Sequence, residues 1–172
     1  QGETWDLGAV TLAFAPGTRL VVNGTLNADG AVFTATDPAQ GWEGIRFQPG
    51  SGGLLEDATI ELVNFPGVNY PGPSVYVYNA RPVFEGVVIQ DSFGGGLLAT
   101  GPQAVVHVRP SSDNFSTIRD NVHRHIVANN SAEIYLDEVI LDDTESVAVY
   151  ANDANIYVRL SEINDSATRG VR

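Results

Sequence analysis

The stretch Tyr135–Gly170, YLDEVILDDTESVAVYANDANIYVRLSEINDSATRG, contains one short phrase twice. Leu141-Asp-Asp-Thr144 returns as Ile163-Asn-Asp-Ser166, and the same order of an apolar residue, any residue, Asp and a small polar residue occurs at Ile89-Gln-Asp-Ser92 and Ile118-Arg-Asp-Asn121. A period in the low twenties is typical of a solenoid, in which each repeat stacks on the one before. The chain is therefore expected to consist of stacked coils.

The repeat extends beyond the phrase when residues 127–148 are aligned with residues 149–170. The alignment pairs Tyr135 with Tyr157 and Val127 with Val149. A column of alanines follows similar spacing: Ala80, Ala104, Ala132 and Ala154. One coil is longer than its neighbours because of the segment Arg109–Ser116, and insertions in solenoids project from one face and often carry function.

Each coil consists of short runs of β-forming residues separated by Asn, Asp, Gly and Pro, and no segment shows a helical apolar period. We therefore predict an all-β chain, a right-handed parallel β-helix of about six coils. It is one domain over residues 1–172, with irregular opening coils at 1–72 and regular repeats at 73–172. In such a fold Asp143 and Asp165 lie at the same corner of adjacent coils, where Asp tolerates left-handed backbone angles.

The opening coils resemble a known family. Gly24-Thr-Leu-Asn-Ala-Asp-Gly30, Phe33-Thr34 and Trp42-Glu-Gly-Ile-Arg-Phe47 are similar to the first coils of bacterial right-handed parallel β-helix surface proteins, in the broad pectin-lyase-like class. The resemblance implies the β-helix fold. It does not imply one activity, because this fold carries lyases, inverting hydrolases, adhesins and phage spikes. No lyase or polygalacturonase motif maps onto this sequence, so no catalytic residue is assigned.

Composition narrows the class of partner. The chain has 21 acidic residues, 9 basic residues and a net charge of -12, which disfavours nucleic acid and anionic membrane surfaces as partners. It has no cysteine, and no apolar run approaches the length of a membrane span. Since the sequence begins at Gln1 without an initiator Met, we expect a prokaryotic secreted or cell-surface protein whose signal segment has been removed.

The aspartates of the repeated phrase form the most regular polar feature. Stacked at the strand spacing, carboxylates repel one another by about 1 kcal/mol per pair in water. Calcium would offset this repulsion, because it takes several oxygen ligands and neighbouring residues supply more of them: Asp142, Asn164, Ser92, Asn121 and Thr144. The alternative is a solvated ladder in which backbone N–H groups satisfy each carboxylate. The predicted metal ligands are Asp91, Asp120, Asp143 and Asp165.

Two tyrosines indicate a binding surface. Tyr135 and Tyr157 fall between inward-facing residues, so their rings should point outward from one sheet and stack. Asp137 and Arg159 follow two residues later on the same side of their strands. Aromatic rings beside a carboxylate and a guanidinium suit a glycan, since sugar C–H groups pack on rings and hydroxyls pair with polar groups. The alternative is that the tyrosines only stabilise neighbouring strands.

The predicted function is that of a non-catalytic extracellular or cell-surface structural or binding module, adhesin-like or filament-forming. The enzymatic alternative is a polysaccharide lyase or an inverting glycosidase, or a fragment of one, working in the same groove. The three histidines do not predict a metal site. His123 and His125 share a strand-like spacing, but nothing places His107 near them, and solvated histidines are expected.

The ends of a β-helix present unpaired strands and apolar interior. No terminal amphipathic helix covers them in this sequence, and Val171 aligns with the column Val75, Val127 and Val149. We therefore expect either a fragment of a longer solenoid or head-to-tail self-association through open ends, which would build a filament.

Overall fold

The computed structural model describes residues 2–66, 72–166 and 170–171. These residues form twenty β-strands, and none of them belongs to a helix that could cross a membrane. The strands are β1 (Thr4–Leu7), β2 (Thr11–Phe14), β3 (Leu20–Val22), β4 (Thr25–Asp29), β5 (Val32–Ala35), β6 (Ile45–Phe47), β7 (Gly52–Glu56), β8 (Thr59–Glu61), β9 (Pro73–Tyr78), β10 (Arg81–Glu85), β11 (Val88–Gln90), β12 (Gly95–Thr100), β13 (Val105–Arg109), β14 (Ser116–Asn121), β15 (Ile126–Asn129), β16 (Glu133–Asp137), β17 (Val139–Thr144), β18 (Val149–Asn152), β19 (Asn155–Arg159) and β20 (Glu162–Ile163).

The strands form three parallel sheets, which the chain visits in rotation. Sheet A has the order β1-β4-β7-β10-β13-β16-β19, and sheet B has the order β2-β5-β8-β11-β14-β17-β20. Sheet C has the order β3-β6-β9-β12-β15-β18. Each strand pairs with its counterparts one coil earlier and one coil later. The result is an all-β parallel solenoid of about 6 turns, as predicted.

Coil length varies while strand register is kept. Partners in adjacent coils are 21 residues apart at Asp6 and Asn27, and 29 residues apart at Glu61 and Gln90. The predicted register between β16 and β19 is confirmed, since Tyr135 lies opposite its predicted partner Tyr157. Extra residues are therefore absorbed at the corners and loops, not inside the strands.

One predicted pair is wrong. Val127 lies opposite Tyr150 and not opposite Val149. The cause is the corner between sheets C and A. In one coil this corner is made by two residues with positive φ, Asn130 (54°) and Ser131 (64°). In the next coil the corresponding corner is made by a single residue with positive φ, Asp153 (52°). The repeat is therefore one residue longer in sheet C than in sheet A.

The interior is packed with the apolar side chains that alternate with outward-facing ones along each strand. The largest fully buried side chains include Trp42, Phe33, Phe47 and Phe84. The rings of Phe14 and Trp42 stack with centroids 4.3 Å apart, and Phe47 meets Phe84 edge-on at 6.2 Å. Burying one large side chain of this kind contributes about 1.5–3 kcal/mol, so the core supplies most of the stability of a chain without disulfides.

The repeated phrase forms the corner between sheets B and C. Its Asp is left-handed in all four coils, with φ of 51° at Asp91, 52° at Asp120, 50° at Asp143 and 43° at Asp165. Asp tolerates this region better than most residues because its short side chain hydrogen-bonds locally. The predicted placement of the last two at one corner is confirmed, since the Thr144 amide donates to the Asp165 carbonyl at 3.3 Å.

In three of the four coils, the small polar residue that follows the Asp points into the core. Ser92, Asn121 and Thr144 are almost fully buried and satisfy each other and the main chain. The Ser92 amide donates to Asn121 Oδ1 at 3.3 Å, Asn121 Nδ2 donates to the Ile89 carbonyl at 3.1 Å, and Thr144 Oγ1 donates to the His123 carbonyl at 3.0 Å. The phrase thus encodes a turn followed by a buried polar residue whose hydrogen bonds are made inside the solenoid.

The longer segment Arg109–Ser116 folds back along the corner between sheets A and B instead of projecting. Ser111 Oγ donates to Asp57 Oδ1 at 2.7 Å, and Asn114 Nδ2 donates to the same oxygen at 3.0 Å. The loop crosses Gly86, where φ is 60° and a Cβ atom would lie 2.2 Å from Asp57 Oδ1. Glycine at this position lets a loop on one coil reach the coil two below it.

Candidate ligand-binding face

A column of three aromatic rings stands on the outer face of sheet A. His107 lies opposite Tyr135, which lies opposite Tyr157. The rings stack with centroids 4.8 Å apart between the histidine and the first tyrosine and 4.7 Å apart between the tyrosines, with interplanar angles of 10° and 13°. The predicted tyrosine stack is present, and His107 extends it by one coil.

The stack presents ring edges, not ring faces, along most of its length. Because neighbouring rings lie face to face, the faces of Tyr135 are both in contact with other rings. Tyr157 is 48% exposed, and no other described aromatic ring stacks on its far side. The Tyr135 hydroxyl donates a hydrogen bond to Glu133 Oε2 at 2.9 Å, and this hydrogen bond raises the pKa of Tyr135. One free ring face and a row of edges are therefore available to a ligand.

A column of charges runs beside the rings on the same face. Arg109 forms an ion pair with Glu85 at 2.5 Å, and Arg159 pairs with Asp137 in the last coil of sheet A. The bond to Asp137 raises the pKa of Arg159, so its guanidinium stays charged. The second carboxylate oxygen, Asp137 Oδ1, is shielded from solvent and accepts no hydrogen bond from the described chain.

The ring column and the charge column enclose a groove with a volume of about 280 Å³. All four residues predicted for ligand binding line it: Tyr135, Tyr157, Asp137 and Arg159. His107 and Arg109 complete the walls. Sequence analysis missed His107 because the coil that separates it from Tyr135 contains the longer loop. Alignment of the β-strand before the longer loop with the strand of Tyr135 would have placed His107 opposite Tyr135.

The predicted metal column is exposed. Three of its expected supporting ligands face the other way, whereas Asp142 is half-buried and Asn164 is exposed. Asp91, Asp120, Asp143 and Asp165 all lie on the surface of one corner. Burial, followed by the charge of its neighbour Asp120, raises the pKa of Asp91. Ser92, Asn121 and Thr144 point inward, as described above, so they cannot complete a calcium site at that surface. Within the described ranges, no three His, Cys, Asp or Glu side chains are grouped closely enough to hold a metal ion.

The histidines occupy three different settings. His107 is exposed in the ring column, and His123 is half-buried in the turn between β14 and β15. His125 is fully buried, which contradicts the expectation of solvated histidines. The turn places it inside the solenoid, since its carbonyl accepts a 2.7 Å hydrogen bond from the amide of Leu97 in the coil below. Burial lowers the pKa of His125 to about 4.

No protein-family model, curated protein or solved structure matches this chain.

Proposed function

We propose that this chain is a non-catalytic β-helical module of a secreted or cell-surface protein, and that it binds carbohydrate in the groove of sheet A. The observation that carries the proposal is the continuous wall His107–Tyr135–Tyr157 facing a column of alternating charges. The three-sheet parallel solenoid also supports the proposed kinship with the pectin-lyase-like class.

The groove matches the mixed chemistry of a sugar. The exposed face of Tyr157 offers a platform for ring C–H groups, and the edges of the other rings continue an apolar wall. Asp137 and Arg159 offer a carboxylate and planar donors at the opposite wall, and their ion pair fixes the orientation of the guanidinium. Apolar walls with a few convergent polar groups are typical of small-molecule sites.

The test is a screen of soluble oligosaccharides by isothermal titration calorimetry, followed by variants of the groove. Tyr157→Ala should weaken binding at least about tenfold, because a central aromatic contact carries a large share of binding energy. Tyr78→Ala is the matched control, since Tyr78 is 42% exposed on sheet C. Equal loss in both variants, or no loss in either, would refute the assignment. Assaying the same mixtures for new reducing or unsaturated ends tests the enzymatic alternative.

A second function is supported by the ends of the solenoid. We propose head-to-tail self-association, because apolar side chains are exposed at both ends: Val158 (46%) and Leu160 (73%) at one, Trp5 (46%) at the other. Adding the first coil of a second copy would pair the edges of β19 and β20 that no other described strand covers. Light scattering should show mass growing with concentration. Val158→Lys should abolish that growth, and Val122→Lys, on the side of the solenoid, should not; constant monomer mass would contradict the proposal.

A further inference from the structure

A second groove lies on sheet C, on another face of the solenoid, and has a volume of about 360 Å³. Its floor is a column of outward side chains in three consecutive coils, in which Leu98 lies opposite Val127 and Val127 lies opposite Tyr150. The volume falls within the range of about 300–1,000 Å³ that is typical of ligand sites. This floor is apolar, unlike the charged wall of the sheet A groove.

Arg124 is the cation of this groove. Its guanidinium carbon lies 4.3 Å from the centroid of the Tyr150 ring, a cation–π contact that holds the group over the groove. Among the described residues, no carboxylate forms an ion pair with Arg124, whereas four other arginines are paired with acids: Arg19, Arg109, Arg119 and Arg159. In a chain with a net charge of -12, Arg124 thus has no ion-pair partner among the described residues.

The turn that carries Arg124 is fixed by the main chain. The Gly96 amide donates to the Arg124 carbonyl at 3.1 Å, and the His123 amide donates to the Gly94 carbonyl at 3.0 Å. A Cβ atom on Gly95 would lie 2.5 Å from the Arg124 carbonyl oxygen. Gly95 and Gly96 therefore allow the turn to lie close against β12, and the main chain of Arg124 is held in place by these hydrogen bonds.

We propose that the sheet C groove binds a monocarboxylate carried on a flat apolar ring. The ring would lie on Leu98 and Val127, and the carboxylate would take the planar donors of Arg124, which lies over the Tyr150 ring and can bind a carboxylate in a bidentate fork. Asn129 and Ser146 also line the groove and supply polar contacts at its rim. A neutral ligand would leave the guanidinium without an anion, and a sugar acid would place hydroxyls against the apolar floor.

The test is titration of the full chain with benzoate, followed by NMR amide shifts, with benzamide and galacturonate as comparison ligands. Saturable benzoate binding is expected, with shifts centred on β12, β15 and β18. Benzamide and galacturonate should bind at least about tenfold more weakly, because each lacks one of the two recognised features. Equal binding of benzamide, stronger binding of galacturonate, or no benzoate binding would overturn the proposal.

Variants separate this site from the sheet A groove. Arg124→Gln should weaken benzoate binding at least about tenfold, and Arg124→Lys should give partial rescue, because lysine keeps the charge without the planar fork. Arg159→Gln is the matched control in the other groove and should leave benzoate binding unchanged. Loss of benzoate binding with Arg159→Gln, or none with Arg124→Gln, would refute the placement. Carbohydrate binding on sheet A can fail independently, since the two grooves have no lining residue in common.

Discussion

The buried imidazole of His125 should make the stability of the solenoid depend on pH. Its side chain is 0% exposed, and neither ring nitrogen has a hydrogen-bond partner within the described chain. Burial lowers its pKa from 6.5 to about 4, against a smaller opposing effect of the Asp142 charge. In the unfolded chain the imidazole takes up its proton near pH 6.5, so between that pH and about 4 the unfolded state binds more protons than the folded state.

The free energy of unfolding should therefore fall as the pH falls through this window. The displacement of the pKa corresponds to about 3 kcal/mol, present in full above pH 6.5 and lost as the pH approaches 4. The measurement is urea unfolding of the wild type and of His125→Leu across this range. The carboxylates of the two proteins titrate alike, so the difference between their curves isolates the imidazole.

Between pH 6.5 and 4, the free energy of unfolding of His125→Leu should fall by about 3 kcal/mol less than that of the wild type. His107→Gln, which changes an exposed histidine, is the control and should keep the wild-type dependence. NMR titration of the folded protein should place the pKa of the His125 imidazole near 4. Parallel curves for the wild type and His125→Leu, or an imidazole that titrates near 6.5 in the folded state, would refute the reasoning.

Four further substitutions, at three positions, test the corners and the core by denaturant unfolding. Gly86→Ala should cost about 2 kcal/mol or more, because the position is left-handed and the new Cβ atom would collide with Asp57. Asp143→Ala should cost about 1 kcal/mol, and Asp143→Gly should cost less, because only glycine adopts the left-handed angle without strain. Trp42→Phe should cost about 1–3 kcal/mol, since the indole donates a 2.8 Å hydrogen bond to the Glu61 carbonyl that phenylalanine cannot make.

Each of these substitutions has a contrary result. An unchanged midpoint for Gly86→Ala would mean that the loop does not lie against that corner. Asp143→Ala as stable as Asp143→Gly would mean that the Asp serves some purpose other than the turn. An unchanged free energy of unfolding in Trp42→Phe would mean that the Glu61 carbonyl accepts a hydrogen bond from another donor.

The corner between sheets B and C was predictable because its chemistry is local. A left-handed angle favours Asp, and the interior behind it favours a small polar residue, so the phrase recurs wherever the corner recurs. The ring column was predictable only in part. Tyr135 and Tyr157 are separated by the regular period, but His107 is separated from Tyr135 by a longer coil.

The remaining misses concern features with little local signal. The corner at Asn130 and Ser131 is one residue longer than the corner at Asp153, and this difference displaced Val127 by one position. The recurrence of Ala128-Asn129 as Ala151-Asn152, 23 residues later, is the trace of it in the sequence. The burial of His125 depends on where a turn meets the coil below. The sheet C groove likewise depends on a contact between Arg124 and a tyrosine in the following coil.

The loop Arg109–Ser116 has a mechanical consequence. In an ideal solenoid each coil touches only its neighbours, so a pulling force applied at one end peels coils one at a time. Here Ser111 and Asn114 bond to Asp57 across an intervening coil, which couples three coils into one unit. A molecule stretched from its C-terminal side should unfold its last coils one at a time. The three coupled coils should then resist the force until the hydrogen bonds to Asp57 break, and they should unfold in a single step.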